Sequence, residues 1–204
     1  MEQAISEVKL STGKTVKIYQ DGDCESPRAW DNLSQMICFH GKYSLGDDDH
    51  DYNNDDYNNW DEMRDAIEAT ERPIVLLPLY LYDHSGITMS TEPFGCIWDS
   101  GQVGFIFINH AKLDAYGLTV KDEETWENFL ERLTLSIKED VKIYDQYISG
   151  EVYSFVIEDN NGDVIDSCGG FYGDSLEGSG MNEHMIENLT TPEIVEFKSE
   201  SSFV

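Results

Sequence analysis

Alternating apolar and polar residues near both ends of the chain predict antiparallel β-hairpins. Residues 8–10 and 15–19 are β-prone, and the Ser-Thr-Gly-Lys between them is typical of a turn. Residues 152–158 and 164–168 flank Asp-Asn-Asn-Gly-Asp, which is a strong hairpin signal, and residues 171–172 extend the second strand. Each end of the chain is therefore predicted to contribute strands that pair with close neighbours in sequence.

Longer apolar runs in the middle of the chain predict strands near the centre of a sheet. Residues 74–81 and 103–108 have the length and composition of such strands, and Pro78 indicates an irregularity within the first of them. Residues 30–39 return the chain to a buried segment before these strands. These runs supply the core of the predicted sheet.

Helices are predicted where apolar residues recur every three or four positions. Residues 60–70 show this spacing, and Asn59 can act as their N-cap. Asn109 can cap a brief second helix, and a longer helix is expected to begin near Asp122. The pattern predicts an α+β fold: a mainly antiparallel sheet with one long and two or three short helices packed on it.

The density of apolar residues falls after Gly173, which suggests a core domain followed by an extension. We expect a core over 1–173 and an acidic C-terminal extension over 174–204, in which 181–189 form a helix and 194–197 a final strand. Within the core, 46–59 is an insertion of Asp, Asn, Tyr and His without aliphatic residues, and we expect it to be a mobile or ligand-ordered loop.

Charge changes this picture more than any motif does. The 204 residues include 41 Asp and Glu against 13 Lys and Arg, a formal net charge of -28. A small domain needs only ~2 to 8 net charges for solubility, so the excess indicates a use beyond solubility. A surface this negative repels phosphate, which excludes direct capture of nucleic acid or an anionic membrane and favours a basic protein as the partner.

The acidic residues are concentrated in two tracts. No basic residue lies between Lys42 and Arg64, and none lies between Lys142 and Lys198. From these tracts the residues predicted to bind a partner are Asp47, Asp48, Asp49, Asp51, Asp55, Asp56, Glu158, Asp159, Asp163, Asp166, Asp174 and Glu177.

Segments that target a protein to a membrane are not evident in the sequence. The amino terminus lacks the basic and then apolar order of a signal peptide, and no stretch approaches the ~20 apolar residues of a membrane span. The four cysteines are far apart, and no CxxC pair is present. We therefore expect a soluble protein inside a cell, with reduced thiols.

Candidate catalytic groups are few. Asp83, His84 and Ser85 are consecutive, but a catalytic triad needs a spatial geometry that sequence neighbours rarely provide, and no GxSxG elbow is present. Cys38 and His40 alternate on a predicted strand, where packing explains them as well as chemistry does. Because P-loop, GxGxxG and HExxH motifs are also lacking, we expect neither an enzyme nor a bound cofactor.

Two further groups of polar residues have a predicted role. Arg28 would be costly to bury unpaired, so we expect an ion pair with Asp31, Asp83 or Asp99 in a structural cluster. His40, Asp83 and His84 are candidate metal ligands, and with Asp31 and Asp99 they could surround a divalent ion. A small metal-dependent enzyme is therefore an alternative hypothesis.

Several segments resemble a family of small acidic proteins from bacteriophages and other mobile elements of Gram-positive bacteria. The similarity lies in PRAWDNL with MICFH, in LPLYLYDHSG and in WDSGQVGFI, and it covers roughly residues 15–173. It implies a cellular context, the cytoplasm of a host bacterium, and no particular reaction. The insertion after Gly46 and the acidic tail are additions to the shared core.

Charge and context together lead to one hypothesis. The protein is expected to inhibit a host defence system, as an anti-CRISPR or anti-restriction protein, by placing carboxylates in a basic groove that normally holds DNA. Its partner would be a CRISPR effector or a restriction enzyme, whereas the oligomeric state is left open. An acidic accessory protein that binds some other basic protein is a further alternative.

Overall fold

The computed structural model describes residues 3–201 and 203. Eight strands and five α-helices form within these residues, and both sheets are antiparallel, which confirms the predicted α+β class. The elements are β1 (Ser6–Lys9), β2 (Thr15–Gln20), β3 (Gln35–Cys38), α1 (Trp60–Glu71), β4 (Pro73–Asp83), β5 (Ile87–Ser90), β6 (Ser100–Asn109), α2 (His110–Ala115), α3 (Trp126–Ser149), β7 (Val152–Glu158), β8 (Val164–Tyr172), α4 (Met181–Met185) and α5 (Thr191–Glu200).

Contacts between residues divide the chain into two compact units. Unit 1 comprises Met1–Glu25 and Gln146–Val204, and unit 2 comprises Ser26–Asp145. The predicted boundary at residue 173 does not coincide with this division, because the early strand β2 pairs with the late strand β7. Each unit has its own four-stranded sheet.

Unit 1 is built on the sheet order β1-β2-β7-β8. Both predicted hairpins are present, and β2 joins them by pairing with β7, so that Val16 lies opposite Ile157. Val16, Ile18 and Ile157 are fully buried, since alternate residues of a strand point to the same face. This face forms half of the unit's core.

The C-terminal residues complete that core. Leu176, Met181, Leu189 and Phe197 are nearly or fully buried and pack in the same cluster as the strands of unit 1. Residues 174–201 and 203 are therefore part of the folded unit, whereas the sequence pattern suggests an extension. The predicted strand at 194–197 was wrong: α5 occupies this region.

The start of α5 explains why a helix forms there. Thr190 is the N-cap and makes a capping box with Glu193, while Pro192 occupies the first turn, where its missing N–H is not needed. Ile194 and Phe197 then lie on one face of the helix, three positions apart, and both are buried. Ile194 and Phe197 are thus buried with the spacing of a helix and not with the alternation of a strand.

Unit 2 is built on the sheet order β3-β6-β4-β5, with β6 in its interior. All six residues at 103–108 are buried, as a strand covered on both faces requires. The register of β4 against β6 shifts between Leu79 and Tyr80, next to Pro78, which lacks the N–H needed for a regular ladder. The predicted irregularity is confirmed.

Two helices of unit 2 follow the predicted start signals. Asn59 accepts a hydrogen bond from the Glu62 amide at the start of α1, and Asn109 accepts one from the Lys112 amide at the start of α2. Apolar residues of α1 pack with Ile37 and Phe105 of the sheet. Among residues 3–201 and 203, the helices are all too short or too polar to cross a bilayer.

Candidate functional site

Aromatic side chains anchor the Asp- and Asn-rich insertion of unit 2. Tyr52 and Tyr57 pack against the cluster formed by Ile37, Met63 and Phe105 and its neighbours. A short 3-10 helix, Asn54–Asp56, forms within the insertion. The segment expected to be mobile or ordered by a ligand is thus held in place by its own tyrosines.

Anchoring leaves most carboxylates of this insertion at the surface. The exposed residues, which we call the unit 2 acidic tract, are Asp48, Asp49, Asp51, Asp55 and Asp56. Asp47 was predicted to belong to this surface, but its side chain is only 10% exposed, so that it cannot contribute to a docking face.

Asp47 instead forms an ion pair with Arg28. The guanidinium donates Nε to Oδ1 at 2.7 Å and Nη2 to Oδ2 at 2.9 Å, a bidentate arrangement. Asp47 also accepts the Met36 amide at 2.8 Å, and Arg28 donates to the Ser34 carbonyl at 2.9 Å. The prediction that Arg28 pairs with Asp31, Asp83 or Asp99 is wrong. The turn that follows β3 brings Asp47 next to Arg28 instead.

A second acid, Asp140 of α3, completes this network. Its carboxylate accepts a hydrogen bond from the Ser34 hydroxyl. Burial raises the pKa of Asp140, and the nearby Asp47 adds to this effect, while the hydrogen bond from Ser34 and the charge of Arg28 oppose it. The Arg28–Asp47–Asp140 network joins a loop, a strand and a helix of unit 2 and is structural.

The acids of the second predicted tract, in unit 1, divide into partnered and exposed groups. Glu158 pairs with Lys17 at 2.6 Å, and Asp166 accepts from Asn188 at 2.9 Å. Asp159 accepts two backbone amides in the hairpin turn, and these bonds lower its pKa. Glu177 is exposed but pairs with Lys198, and the remaining exposed acids of this tract are Asp163, Asp174, Glu183 and Glu187.

Glu193 is an acid of unit 1 whose role the composition does not reveal. It is 3% exposed and accepts hydrogen bonds from Thr12, from Lys14 and from both the amide and hydroxyl of Thr190. Burial alone would raise its pKa, but these hydrogen bonds outweigh burial and lower the pKa to about 2. The Thr-x-x-Glu spacing at 190–193 is the signal that could have identified it.

Three of the residues that the sequence suggests as ligands of a divalent ion line one pocket of unit 2. His40, Asp83 and Asp99 surround a cavity of about 380 Å³ together with Trp98. Asp83 binds Lys42 at 2.8 Å, and this hydrogen bond lowers its pKa. Backbone pairing holds the two acids together, since the Asp83 amide donates to the Asp99 carbonyl at 2.8 Å.

Asp83 ends β4, and His84 and Ser85 begin the turn between β4 and β5. The His84 amide donates to the Gly86 carbonyl at 3.0 Å, and Ser85 has a φ of 61°, in the left-handed region. The imidazole of His84 is 63% exposed, and its Nδ1 lies 3.4 Å from Asp99 Oδ2. This geometry is that of a hairpin turn, which the sequence favours over a catalytic triad.

The candidate metal ligands are not arranged as a metal centre. Within residues 3–201 and 203, no group of three or more His, Cys, Asp and Glu side chains is placed to hold an ion. Asp31 accepts a hydrogen bond from Tyr116, and Asp83 is bound by Lys42. These acids are thus directed to other partners.

Cys38 is buried at the end of β3 beside the Arg28 network. Burial raises the pKa of its thiol to about 12, and Asp47 adds to this effect. A thiol with so high a pKa is protonated at neutral pH and is a poor nucleophile. Packing is therefore the role that its environment supports.

Sequence reasoning missed the loop between β5 and β6. Trp98 is 89% exposed and Ile97 is 80% exposed, the largest values among the large hydrophobic residues in the described chain. Apolar residues are expected to be buried, so no sequence pattern marks these two as surface residues. Only the fold shows that they point away from the core.

Comparisons with known proteins add no functional assignment. Protein-family models, curated proteins and solved structures yield no match to this chain.

Proposed function

We propose that this protein inhibits a host defence system by occupying a basic nucleic-acid groove with its carboxylates. One observation carries the proposal: the negative charge is distributed over both folded units. Unit 1 contains 17 acidic and 4 basic residues, for a net charge of -13, and unit 2 contains 24 and 9, for a net charge of -15. The charge therefore belongs to ordered surfaces and is not confined to a tail.

Ion pairs within the protein also neutralise most of its lysines and arginines. Nine of the thirteen lysines and arginines pair with Asp or Glu in the described structure, including Arg28, Lys17 and Lys198. Most cations are thereby neutralised locally, and the exposed carboxylates dominate the field that a partner meets. A basic groove that binds DNA, which carries one charge per ~1.7 Å of helix axis, is complementary to such a surface.

Order is the second property that favours mimicry. The unit 2 acidic tract is anchored by Tyr52 and Tyr57, and the exposed acids of the unit 1 tract lie between β7 and β8, between β8 and α4, on α4, and between α4 and α5. Carboxylates that are already positioned lose less conformational entropy on binding than those of a disordered acidic segment. Binding, rather than catalysis, is the activity that we assign to these surfaces.

The resemblance to proteins of bacteriophages and mobile elements supplies the context. It supports an origin in such an element, action in the cytoplasm of the host bacterium, and a CRISPR effector or a restriction enzyme as the target. An accessory role toward some other basic protein predicts the same charge but not the same competition with DNA.

Competition with DNA is the experiment that tests the proposal. A labelled duplex is bound to a purified CRISPR effector or restriction enzyme, and its displacement by this protein is measured between about 50 and 200 mM salt. We expect displacement at low salt that weakens steeply as salt increases, because dissolved ions screen the attraction between the carboxylates and the basic groove. Salt-independent displacement, or none with any such enzyme, would count against mimicry.

A charge-matched pair of variants separates a specific surface from total charge. The tract variant changes Asp48, Asp49, Asp51, Asp55 and Asp56 to Asn. The control variant changes five exposed acids elsewhere in unit 2 to amides: Asp114, Asp122, Glu123, Glu127 and Glu131. Each variant removes five charges, so an equal decrease in affinity would indicate a nonspecific effect of net charge, whereas a larger decrease in the tract variant assigns the binding surface to the tract.

A further inference from the structure

The loop between β5 and β6 presents two apolar side chains to solvent. Ile97 and Trp98 are 80% and 89% exposed, although burying an aromatic side chain is among the largest favourable contributions available to a fold. Trp is also the residue type most enriched among the dominant contacts of protein interfaces. Two adjacent exposed apolar side chains, one of them Trp, make this loop a candidate contact site.

This loop is ordered by its own contacts. The Asp99 carbonyl accepts the Asp83 amide at 2.8 Å, and the Ser100 hydroxyl donates to the Cys96 carbonyl. The ring of Phe94 packs against Tyr82, with centroids 5.8 Å apart. The tryptophan of this loop is therefore held outward by a structured segment.

Trp98 also lines the pocket that contains Asp83 and Asp99. At about 380 Å³ the pocket is near the lower end of the range for ligand sites, ~300 to 1,000 Å³, and suits a single side chain. Asp83 is bound by Lys42 at 2.8 Å, whereas the contacts of Asp99 with His84 and Cys96 are both 3.4 Å long and both use Oδ2. Asp99 thus retains capacity to accept short, charge-assisted hydrogen bonds.

We propose that this pocket receives an arginine side chain of a basic protein partner, with the guanidinium stacked on Trp98 and hydrogen-bonded to Asp99. A guanidinium is planar, stacks on aromatic faces and binds a carboxylate through two parallel N–H groups, which matches an exposed indole beside a carboxylate. The net charge of -15 on unit 2 favours a cationic partner over an apolar one. Ile97, the exposed neighbour of Trp98, offers apolar surface to the same partner.

The identity of the partner rests on the proposed function, but the pocket can be tested without it. The probe is the capped peptide acetyl-Gly-Arg-Gly-amide, added to the intact protein while the indole N–H signals are followed by NMR. The Trp98 signal is assigned by its absence in Trp98→Phe. We expect a saturable shift of that signal, with a dissociation constant on the order of millimolar for so small a contact, and weaker effects from matching lysine and citrulline peptides.

Paired variants give the proposal a specific prediction. Asp99→Asn is expected to weaken peptide binding about tenfold, since hydrogen bonds to charged groups are the strong ones. Glu92→Gln removes the same charge from an exposed acid of the same loop and is expected to leave binding unchanged. Trp126→Phe, a change at a half-exposed tryptophan of α3, is the corresponding control for Trp98→Phe.

Failure of this inference can be distinguished from failure of the proposed function. If no saturable shift occurs at Trp98, or if the citrulline peptide binds equally well, the arginine site is overturned even where DNA displacement succeeds. If the peptide binds at Trp98 but no defence enzyme is displaced from DNA, the site stands and the proposed function falls. Concentration-dependent self-association abolished by Trp98→Ala would show instead that a second copy of the chain covers the loop, which also overturns the proposal.

Discussion

At the scale of single residues, Glu193 shows how a carboxylate can stabilise a highly acidic protein. Its side chain is buried, yet donors from Thr12, Lys14 and Thr190 keep it ionised, with a pKa of about 2 against an ordinary value of 4.5. A depressed pKa means that the folded state favours the charged form. This acid contributes to the fold, not to the surface field.

Glu193→Gln is therefore expected to destabilise the protein by about 3 kcal/mol at neutral pH, the amount that corresponds to the pKa difference. The stabilisation by Glu193 is present above pH 4.5 and is lost as pH falls toward 2, because the unfolded chain then binds a proton that the folded state does not. Denaturant titrations of both proteins at neutral and acidic pH measure the difference. A gap that stays constant down to pH 2 would contradict the low pKa.

The Arg28–Asp47 pair gives a second prediction at this scale. Asp47→Asn leaves the Arg28 guanidinium, whose side chain is 4% exposed, without its counter-charge. Removing one partner of a buried pair costs ~3 to 5 kcal/mol, and we expect a decrease in stability in that range. Asp48→Asn, at the exposed neighbouring position, is the control and should change the unfolding free energy by less than ~0.5 kcal/mol in denaturant titrations. Equal effects would show that Arg28 finds another partner.

At the scale of elements, Gly104 allows β3 and β6 to approach. A Cβ at this position would lie 1.8 Å from the Ile37 carbonyl oxygen of β3, a backbone atom that cannot rotate away. Gly101, three residues earlier in the same strand, has nothing within 4 Å of its own Cβ position. β6 therefore has space for a side chain at Gly101 but not at Gly104.

Gly104→Ala is accordingly expected to cost ~3 kcal/mol or more, because β3 and β6 must separate or shift register to admit a methyl group. Gly101→Ala should be tolerated, with a change below ~1 kcal/mol, since Ala also restricts the unfolded chain. Thermal unfolding of both variants by circular dichroism provides the comparison. Similar melting temperatures for the two would mean that β3 moves without cost.

At the scale of the whole molecule, a net charge of -28 opposes folding through self-repulsion. Raising salt from about 50 to 200 mM should increase stability by on the order of 1 kcal/mol, because screening weakens repulsion between exposed carboxylates. The five-residue tract variant at Asp48, Asp49, Asp51, Asp55 and Asp56 should be more stable than the natural protein at low salt, and the difference should shrink as salt rises. Denaturant titrations at both salt concentrations measure this, and a less stable tract variant would indicate that these acids make structural contacts.

This stability prediction bears on the proposed function. Natural proteins retain destabilising features where activity needs them, and a tract that costs stability fits a surface selected for binding. If a tract variant that is more stable than the natural protein no longer competes with DNA, misfolding cannot be the cause.

Much of the fold could be predicted because its signals are local. The hairpins at each end, the cap at Asn59 and the cap at Asn109 are encoded within a few residues of sequence. A strand was predicted in place of α5 because the apolar run at 194–197 is short, although Thr190 and Glu193 mark a capping box. The separate sheets were not predicted, since the pairing of β2 with β7 joins segments more than a hundred residues apart.

The candidate site was less predictable than the fold. The sequence marks Arg28 as a residue that needs a partner, but which of many acids it meets depends on the path of the chain through β3. His40, Asp83 and Asp99 do meet around one pocket, yet its most distinctive residue, Trp98, belongs to a type that is usually buried. Burial depends on long-range packing, which composition and spacing do not specify.

The sequence by itself determined the sign and size of the charge, the types of most elements and the antiparallel character of the fold, because each follows from composition or from contacts between near neighbours. Tertiary structure decided which carboxylates remain free. It buried Asp47 against Arg28 and placed Glu193 against Thr12, and it left Asp48 and Trp98 in solvent. The physical reason is that ionisation, burial and access to a partner depend on distances through space, and these are fixed only when distant segments pack together.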